Sequence, residues 1–369
     1  MHNEGRRAGG AESLVAAHRE AIKFYRGELA LRQTGWAARH LRARRLGQAL
    51  EVGTRWKVGY APDARSHLTE HLRSVGIEER VMIAAGLAVV TDNRYLIDRF
   101  RDRIMIAEYD ADLRPVGFIG RGRGGIATYL NTSTTSVYRK GQALFGVAEQ
   151  HRQLALGATP VLVEGTFDAV SVGACSNRRR QWCGVSSGGT SWSAEQIAML
   201  RYYSVSDTVI VAFDGDAAGR PAAVRHLGSL GGGAFRHVLV ADLPHGRDPS
   251  QMLQLGNGVR RLRAQLENTR PLASLAVELE LELGRWSRVL DHAVGRVSAL
   301  RAVAGFVAQL PAPLVSDEIG RLSRVLDLDA TTVSREVLDA VGQRPPRPRV
   351  RRELSLSADV DPPLPSIGL

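Results

Sequence analysis

Apolar positions Leu14, Ala17, Ala21, Phe24 and Tyr25 recur near helical spacing at the start of the chain. A second helical stretch, rich in arginine, covers residues 36–50, so a largely helical segment is expected over 15–60. Tyr60-Ala61-Pro62-Asp63 breaks that pattern, and a short helical repeat over 77–85 is stopped by Gly86. Beyond it, Arg103-Ile104-Met105-Ile106 and Val116-Gly117-Phe118-Ile119 predict two strands about a turn over 110–115.

The period then changes. Short apolar runs at 161–163, 183–185, 208–213 and 237–240 alternate with helical segments at 167–174, 194–200 and 220–230. That alternation predicts a parallel sheet with crossover helices, in which ligands bind beyond the strands' C-terminal ends. From residue 271 onward the pattern is helical, with Val289, Ala293, Val297, Leu300, Ala304 and Val307 on one face. Pro311 and Pro313 interrupt it before Ile319, Leu322, Leu326 and then Val333, Val337, Val341 resume it. The expected organisation is a disordered N-terminus over 1–14, a basic α+β subdomain over 15–155, an α/β domain over 156–256 and a helical region over 268–342. The Pro- and Arg-rich segment 343–369 is expected to be a disordered tail. No internal repeat is found.

Charge narrows the function. The 369 residues carry 49 Lys and Arg against 38 Asp and Glu, a formal net charge of +11, which favours polyanions such as nucleic acid. Arginine dominates, Lys23, Lys57 and Lys140 being the only lysines. No apolar run approaches the roughly eighteen residues of a membrane span, and no apolar leader opens the chain. A cytoplasmic location with no membrane partner is therefore expected. Cys175 and Cys183 form no C-x-x-C pair, so neither a zinc site nor a disulfide is expected.

Two short motifs mislead. Gly120-Arg121-Gly122-Arg123-Gly124-Gly125 matches a dinucleotide fingerprint, but residues 126–131 read as strand or loop where a helix must open. A glycine- and arginine-rich loop against a phosphate backbone suits it better. Gly184-Val185-Ser186-Ser187-Gly188 matches a hydrolase elbow, with Asp214 and His245 as conceivable partners. The doubled acids near Asp214 suit metal and phosphate better than a serine triad.

Those acids carry the chemistry. Glu164 and Gly165 end one predicted strand, with Asp168 a turn into the next helix; Asp214-Gly215-Asp216 ends another; Asp248-Pro249 follows a third. Parallel strands bring such ends to one edge, where crowded carboxylates repel unless cations neutralise them. Hard oxygen donors suit Mg²⁺ or Mn²⁺.

The pattern Glu164-Gly165, Asp168 and Asp214-Gly215-Asp216 resembles the TOPRIM domain, shared by primases, topoisomerases, RecR-type repair proteins and OLD-type nucleases. The flanks resemble bacterial replicative DNA primases: Ala21 to Tyr25, Gly59 to Pro62, Arg99 to Met105, Tyr129-Leu130-Asn131, and Lys140 to Gly146. Phe213 to Arg220 and Leu243 to Pro249 are similar too. The resemblance spans about 15–253. It implies a TOPRIM domain with a central parallel sheet flanked by helices, preceded by a basic α+β subdomain and followed by a helical bundle. It implies metal-dependent synthesis of RNA primers from ribonucleoside triphosphates on single-stranded DNA. Catalytic roles fall to Glu164, Asp214, Asp216 and Lys140. Glu164, Asp214 and Asp216 would hold Mg²⁺ or Mn²⁺, in a two-metal arrangement, supported by Asp168 and Asp248. Arg103, Arg121, Asn131, Lys140 and Arg220 would meet template or nucleotide.

Three departures qualify the likeness. The family's N-terminal zinc-binding domain has no counterpart in this sequence, Thr128 stands where the family has a basic residue, and Ser250 replaces a second acid after Asp-Pro. A phage or mobile-element role, or a zinc-binding module supplied by a partner, stays open alongside a replicative helicase as partner. A TOPRIM nuclease and a non-catalytic replication accessory are the competing classes.

Overall fold

The computed structural model describes residues 2–342 except 52, 125–127, 178–180, 190, 217, 232, 283–285 and 287–288, with side chains described from residue 10. The expected disordered tail, 343–369, lies outside the described residues.

The N-terminal subdomain opens with α1 (His2–Leu31) and α2 (Trp36–Ala43), followed by β1 (Val58–Ala61), α3 (His67–Ser74) and α4 (Glu79–Ala84). A small hairpin of β2 (Ala88–Val90) and β3 (Leu96–Asp98) leads to β4 (Arg103–Tyr109), β5 (Pro115–Arg121) and β6 (Tyr129–Asn131). A four-stranded antiparallel sheet runs in the order β1-β4-β5-β6.

Two expectations shift here. Helix α1 starts at His2 instead of near residue 15. Its burial begins at Leu14 and Val15, and an established helix extends at little cost beyond the turns that packing holds. Residues 58–61, read as the end of the helical segment and the start of its break, form β1, with Val58 opposite Ile106 and Tyr60 opposite Ile104. A strand this short has no periodicity of its own, and its partner lies more than forty residues away.

The second region follows the expected alternation. Helix α5 (Val147–Ala155) leads into β7 (Thr159–Val163), α6 (Thr166–Cys175), β8 (Trp182–Ser186), α7 (Ala194–Tyr203) and β9 (Thr208–Val211). The helix expected over 220–230 is divided at His226 into α8 (Gly219–Arg225) and α9 (Leu227–Gly231). Then come β10 (His237–Val240), α10 (Pro249–Gln254), α11 (Gly258–Glu267) and β11 (Arg270–Pro271). The sheet order is β11-β10-β9-β7-β8, with β10, β9, β7 and β8 mutually parallel and β11 an antiparallel edge. Helices α12 (Leu272–Glu282), α13 (Ala293–Val307), α14 (Ala312–Leu326) and α15 (Ala330–Gly342) complete the described chain.

The parallel strands are apolar on both faces because both faces are covered. On one side, Leu162, Val185, Val209 and Val211 share a core with Leu272, Leu300, Val307, Leu322 and Val337 of the C-terminal helices. On the other, Val161, Val163 and Ile210 pack with Phe167 and Leu262, and with Leu41, Val58 and Ile104 of the N-terminal subdomain. A third core lies between α1, α3, α4 and the antiparallel sheet, around Tyr25, Leu68, Met105 and Phe118.

Candidate active site

The acids expected to converge are linked through the backbone. Glu164 follows β7 directly, and its Oε1 accepts the Asp214 N–H at 3.1 Å, tying the ends of β7 and β9 together. Asp168, in the first turn of α6, is buried. Its Oδ2 accepts the Gly165 N–H and its Oδ1 the Ser250 N–H, each at 3.0 Å. Asp168 thus brackets the loops that carry Glu164 and Asp248. Asp248 caps α10 by accepting the Gln251 N–H, and takes the Ser250 hydroxyl at 2.9 Å. Asp216 turns toward α8, accepting the Ala218 and Gly219 N–H groups at 2.9 and 2.7 Å.

Gly215 and Gly219 answer to close backbone contacts. A Cβ on Gly215 would stand 2.4 Å from the Pro244 carbonyl oxygen, and one on Gly219 2.1 Å from that of Asp214. Only glycine lets these turns close.

Burial raises the Asp214 pKa to about 7, with Glu164, Asp248 and Asp216 adding to the rise. Burial also raises that of Glu164, against the Asp214 amide that favours its anion, while Asp216 and Asp248 push the same way as burial. Asp168 is raised by burial and then by Asp248. Asp216 is lowered by the Gly219 and Ala218 amides. The set is all-oxygen and mutually repelling, the chemistry a hard divalent cation relieves. Among the described residues no three His, Cys, Asp or Glu side chains already stand as a ligand cluster. Cys175 and Cys183 are buried, and burial pushes both thiols up to about 12, so neither offers a thiolate.

Facing the acids, the N-terminal subdomain supplies cations. Arg44 donates to the Ser250 hydroxyl at 2.8 Å, and its guanidinium lies 5.6 Å from the centre of the Phe167 ring. Arg121 lies at the same distance from Phe167 and 5.9 Å from Tyr129, and its Nη1 is 2.7 Å from His40 Nε2. Burial, then Arg121 and Arg44, lower the His40 pKa to about 4, so the imidazole is neutral and can accept from Arg121. Sequence reasoning missed Arg44, His40 and Phe167. Arg44 sits in the run Arg42-Ala43-Arg44-Arg45, where composition cannot tell a solvated arginine from one aimed at a site.

The remaining expected residues scatter more widely. Lys140 rides on a turn anchored by Gln196, whose side chain donates to the Lys140 and Ala143 carbonyls at 3.1 and 2.8 Å. It is exposed and passes close to Gly188 in the loop after β8. Arg103 donates to the Gly120 and Thr128 carbonyls, bracing β4 against the β5–β6 connection. Asn131 accepts from Arg99 through its carbonyl. Arg220 approaches Glu278 at 3.8 Å and lines, with Asp214 and Gly215, a cleft of about 380 Å³ beside α12.

A parallel sheet with acids at its C-terminal edge, closed over by a basic α+β subdomain, defines a TOPRIM-type protein, and residues 161–253 match the Toprim-like family. Residues 24–151 match the N-terminal domain of the DNA primase catalytic core. The chain belongs to the DNA primase family. It is 31% identical to a DNA primase of Mycolicibacterium smegmatis over 331 residues, 86% of this chain and 50% of that protein. The chain thus spans about half the length of the curated relatives it matches. Among solved structures, the RNA polymerase domain of Mycobacterium tuberculosis primase DnaG is 30% identical. The match covers 84% of this chain and 96% of that one, with a TM-score of 0.65. A DnaG primase catalytic domain bound to single-stranded DNA is 27% identical with a TM-score of 0.67, covering 88% of this chain and 99% of that one. Among the described residues no helix is long and apolar enough to cross a membrane.

Proposed function

We propose that this chain is the RNA-polymerising core of a DNA primase, joining ribonucleoside triphosphates into short primers on single-stranded DNA during replication. The observation that carries this reading is the meeting of two opposed surfaces. Arg44 and Arg121 stand over Phe167, one residue from Asp168, while Glu164, Asp214, Asp216 and Asp248 line the sheet edge beside them. Polyphosphate, a divalent cation and an arginine clamp together satisfy both charges.

In this reading Glu164, Asp214 and Asp216 hold Mg²⁺ or Mn²⁺, with Asp248 in support. A cation held there would supply activation of the attacking hydroxyl and positive charge for the departing pyrophosphate. Asp168 keeps the Glu164 and Asp248 loops in register through the Gly165 and Ser250 amides. Arg121, Arg44 and Lys140 meet nucleotide and template phosphates, and Arg220 waits at the rim of the cleft beside Asp214. Arg103 and Asn131 shape the template side through β4, β5 and β6. A cytoplasmic setting and a replicative helicase as partner complete the reading.

A nuclease built on the same acids would act on the template itself. With end-labelled single-stranded DNA, Mg²⁺ or Mn²⁺ and ribonucleotides, the DNA should stay full length while alkali-labile products accumulate. Metal-dependent shortening of the labelled DNA without such products would replace this reading with a nuclease.

A further inference from the structure

The antiparallel sheet has a second basic surface, at the end remote from the acids. Arg103 opens β4 near the candidate active site, and Tyr109 closes it six residues on, about 20 Å away at strand rise. At that far end a cavity of about 640 Å³ lies between residues 53–57, Tyr109 and α5.

Its lining includes Arg55, Lys57, His151 and Arg152, with Glu149 as the acid. Gln153, turned so that its nitrogen meets the Gln150 carbonyl at 3.2 Å, presents its oxygen to Arg55 Nη1 at 2.9 Å. The Arg55 guanidinium also lies 5.8 Å from the centre of the Trp56 ring. Both contacts hold the cation in place without cancelling its charge. Among the described residues neither Arg55 nor Arg152 has a carboxylate partner, unlike Arg114, Arg270, Arg301 and Arg321, which pair with acids. Glu149 offers little opposition. Burial pushes its carboxyl up to about 7, against the Gly146 amide and Lys57, so below neutral pH it is largely uncharged.

We propose that this cavity binds phosphate groups, of a free nucleotide or of a nucleic-acid backbone, as a site separate from the acidic sheet edge. Two guanidinium forks and an ammonium group match phosphate oxygens in number and sign, and the volume is that of a small-ligand pocket. The chain's surplus of 49 basic over 38 acidic residues is then used at two places instead of one.

The test uses the whole chain in EDTA, so that the acidic edge is silent and no primer synthesis is needed. Binding of a short labelled single-stranded oligonucleotide is followed by anisotropy across a salt series, and binding of ATP by calorimetry. Wild type is compared with Lys57→Ala/Arg152→Ala and with the charge-keeping Lys57→Arg/Arg152→Lys. If the phosphates belong to nucleic acid, the alanine pair weakens the oligonucleotide about tenfold and lowers its log–log salt slope by about two. If they belong to a nucleotide, ATP weakens about tenfold and the oligonucleotide does not. Either result supports the site, provided the charge-keeping pair stays near wild type. Unchanged binding of both ligands by the alanine pair overturns the proposal, as does equal loss in the charge-keeping pair. Neither outcome bears on whether the acidic edge polymerises.

Discussion

Asp214 carries a heavy electrostatic load at the sheet edge. Burial and three neighbouring acids raise its pKa to about 7, so replacing its carboxylate with an amide removes repulsion. Asp214→Asn should unfold at or above the wild-type temperature without metal, and lose most of the rise that Mg²⁺ gives the wild type. Equal stabilisation of both proteins by Mg²⁺ in a thermal-shift titration would place the cation elsewhere. Glu108 makes a separate case, away from the acids. Burial raises its pKa to about 7, against a hydrogen bond from the Tyr138 hydroxyl and the charge of Lys140. A folded-state pKa above the unfolded value means that stability is fully present below about 4.5 and is lost as pH rises through about 7. Glu108→Gln keeps an acceptor for Tyr138 and cannot ionise. It should gain about 2 kcal/mol on the wild type between pH 5 and pH 8; a difference independent of pH in denaturant melts would refute the buried, protonated carboxyl.

Individual elements show where the sequence is informative. The four parallel strands, the β4–β5 hairpin and the helix before Gly86 are legible because each carries its own apolar period or turn signal. Strand β1 and the division between α8 and α9 are not, since pairing and packing with distant segments decide them. Gly215 and Gly219 are required by contact with the Pro244 and Asp214 carbonyls, which no local sequence pattern announces. Gly219→Ala forces a Cβ to within 2.1 Å of the Asp214 carbonyl unless the turn opens. The cost should be about 2 kcal/mol of stability, with weaker Mn²⁺ binding because Asp214 moves with the turn. Wild-type stability and metal affinity in Gly219→Ala would show that the turn adapts freely.

Across the whole molecule, the parallel sheet is held between two partners, not one. The C-terminal helices expected as a following bundle share a core with one face of the sheet, through Leu272, Leu300, Val307 and Leu322. Removing residues 272–342 would bare that face, so the shortened chain should be insoluble or bind ANS strongly; a monomeric, cooperatively folding product would show the helices to be an accessory. The other face meets the N-terminal subdomain, and this contact explains what the sequence could not reveal about the site. Glu164 and the Asp214-Gly215-Asp216 turn are legible because each follows an apolar strand run. Arg44 reaches Ser250 across 206 residues, and no local pattern anticipates such a pairing. The same contact sets Arg44 on the Ser250 hydroxyl, which donates to Asp248, and supports the polymerase reading. The most direct test is incorporation of labelled ribonucleotides on single-stranded DNA with Mg²⁺ or Mn²⁺, wild type beside Asp214→Ala. Metal-dependent RNA from the wild type, reduced at least about a hundredfold in Asp214→Ala, is the predicted result. RNA made equally by both proteins, or none from either while DNA binding persists, would contradict it.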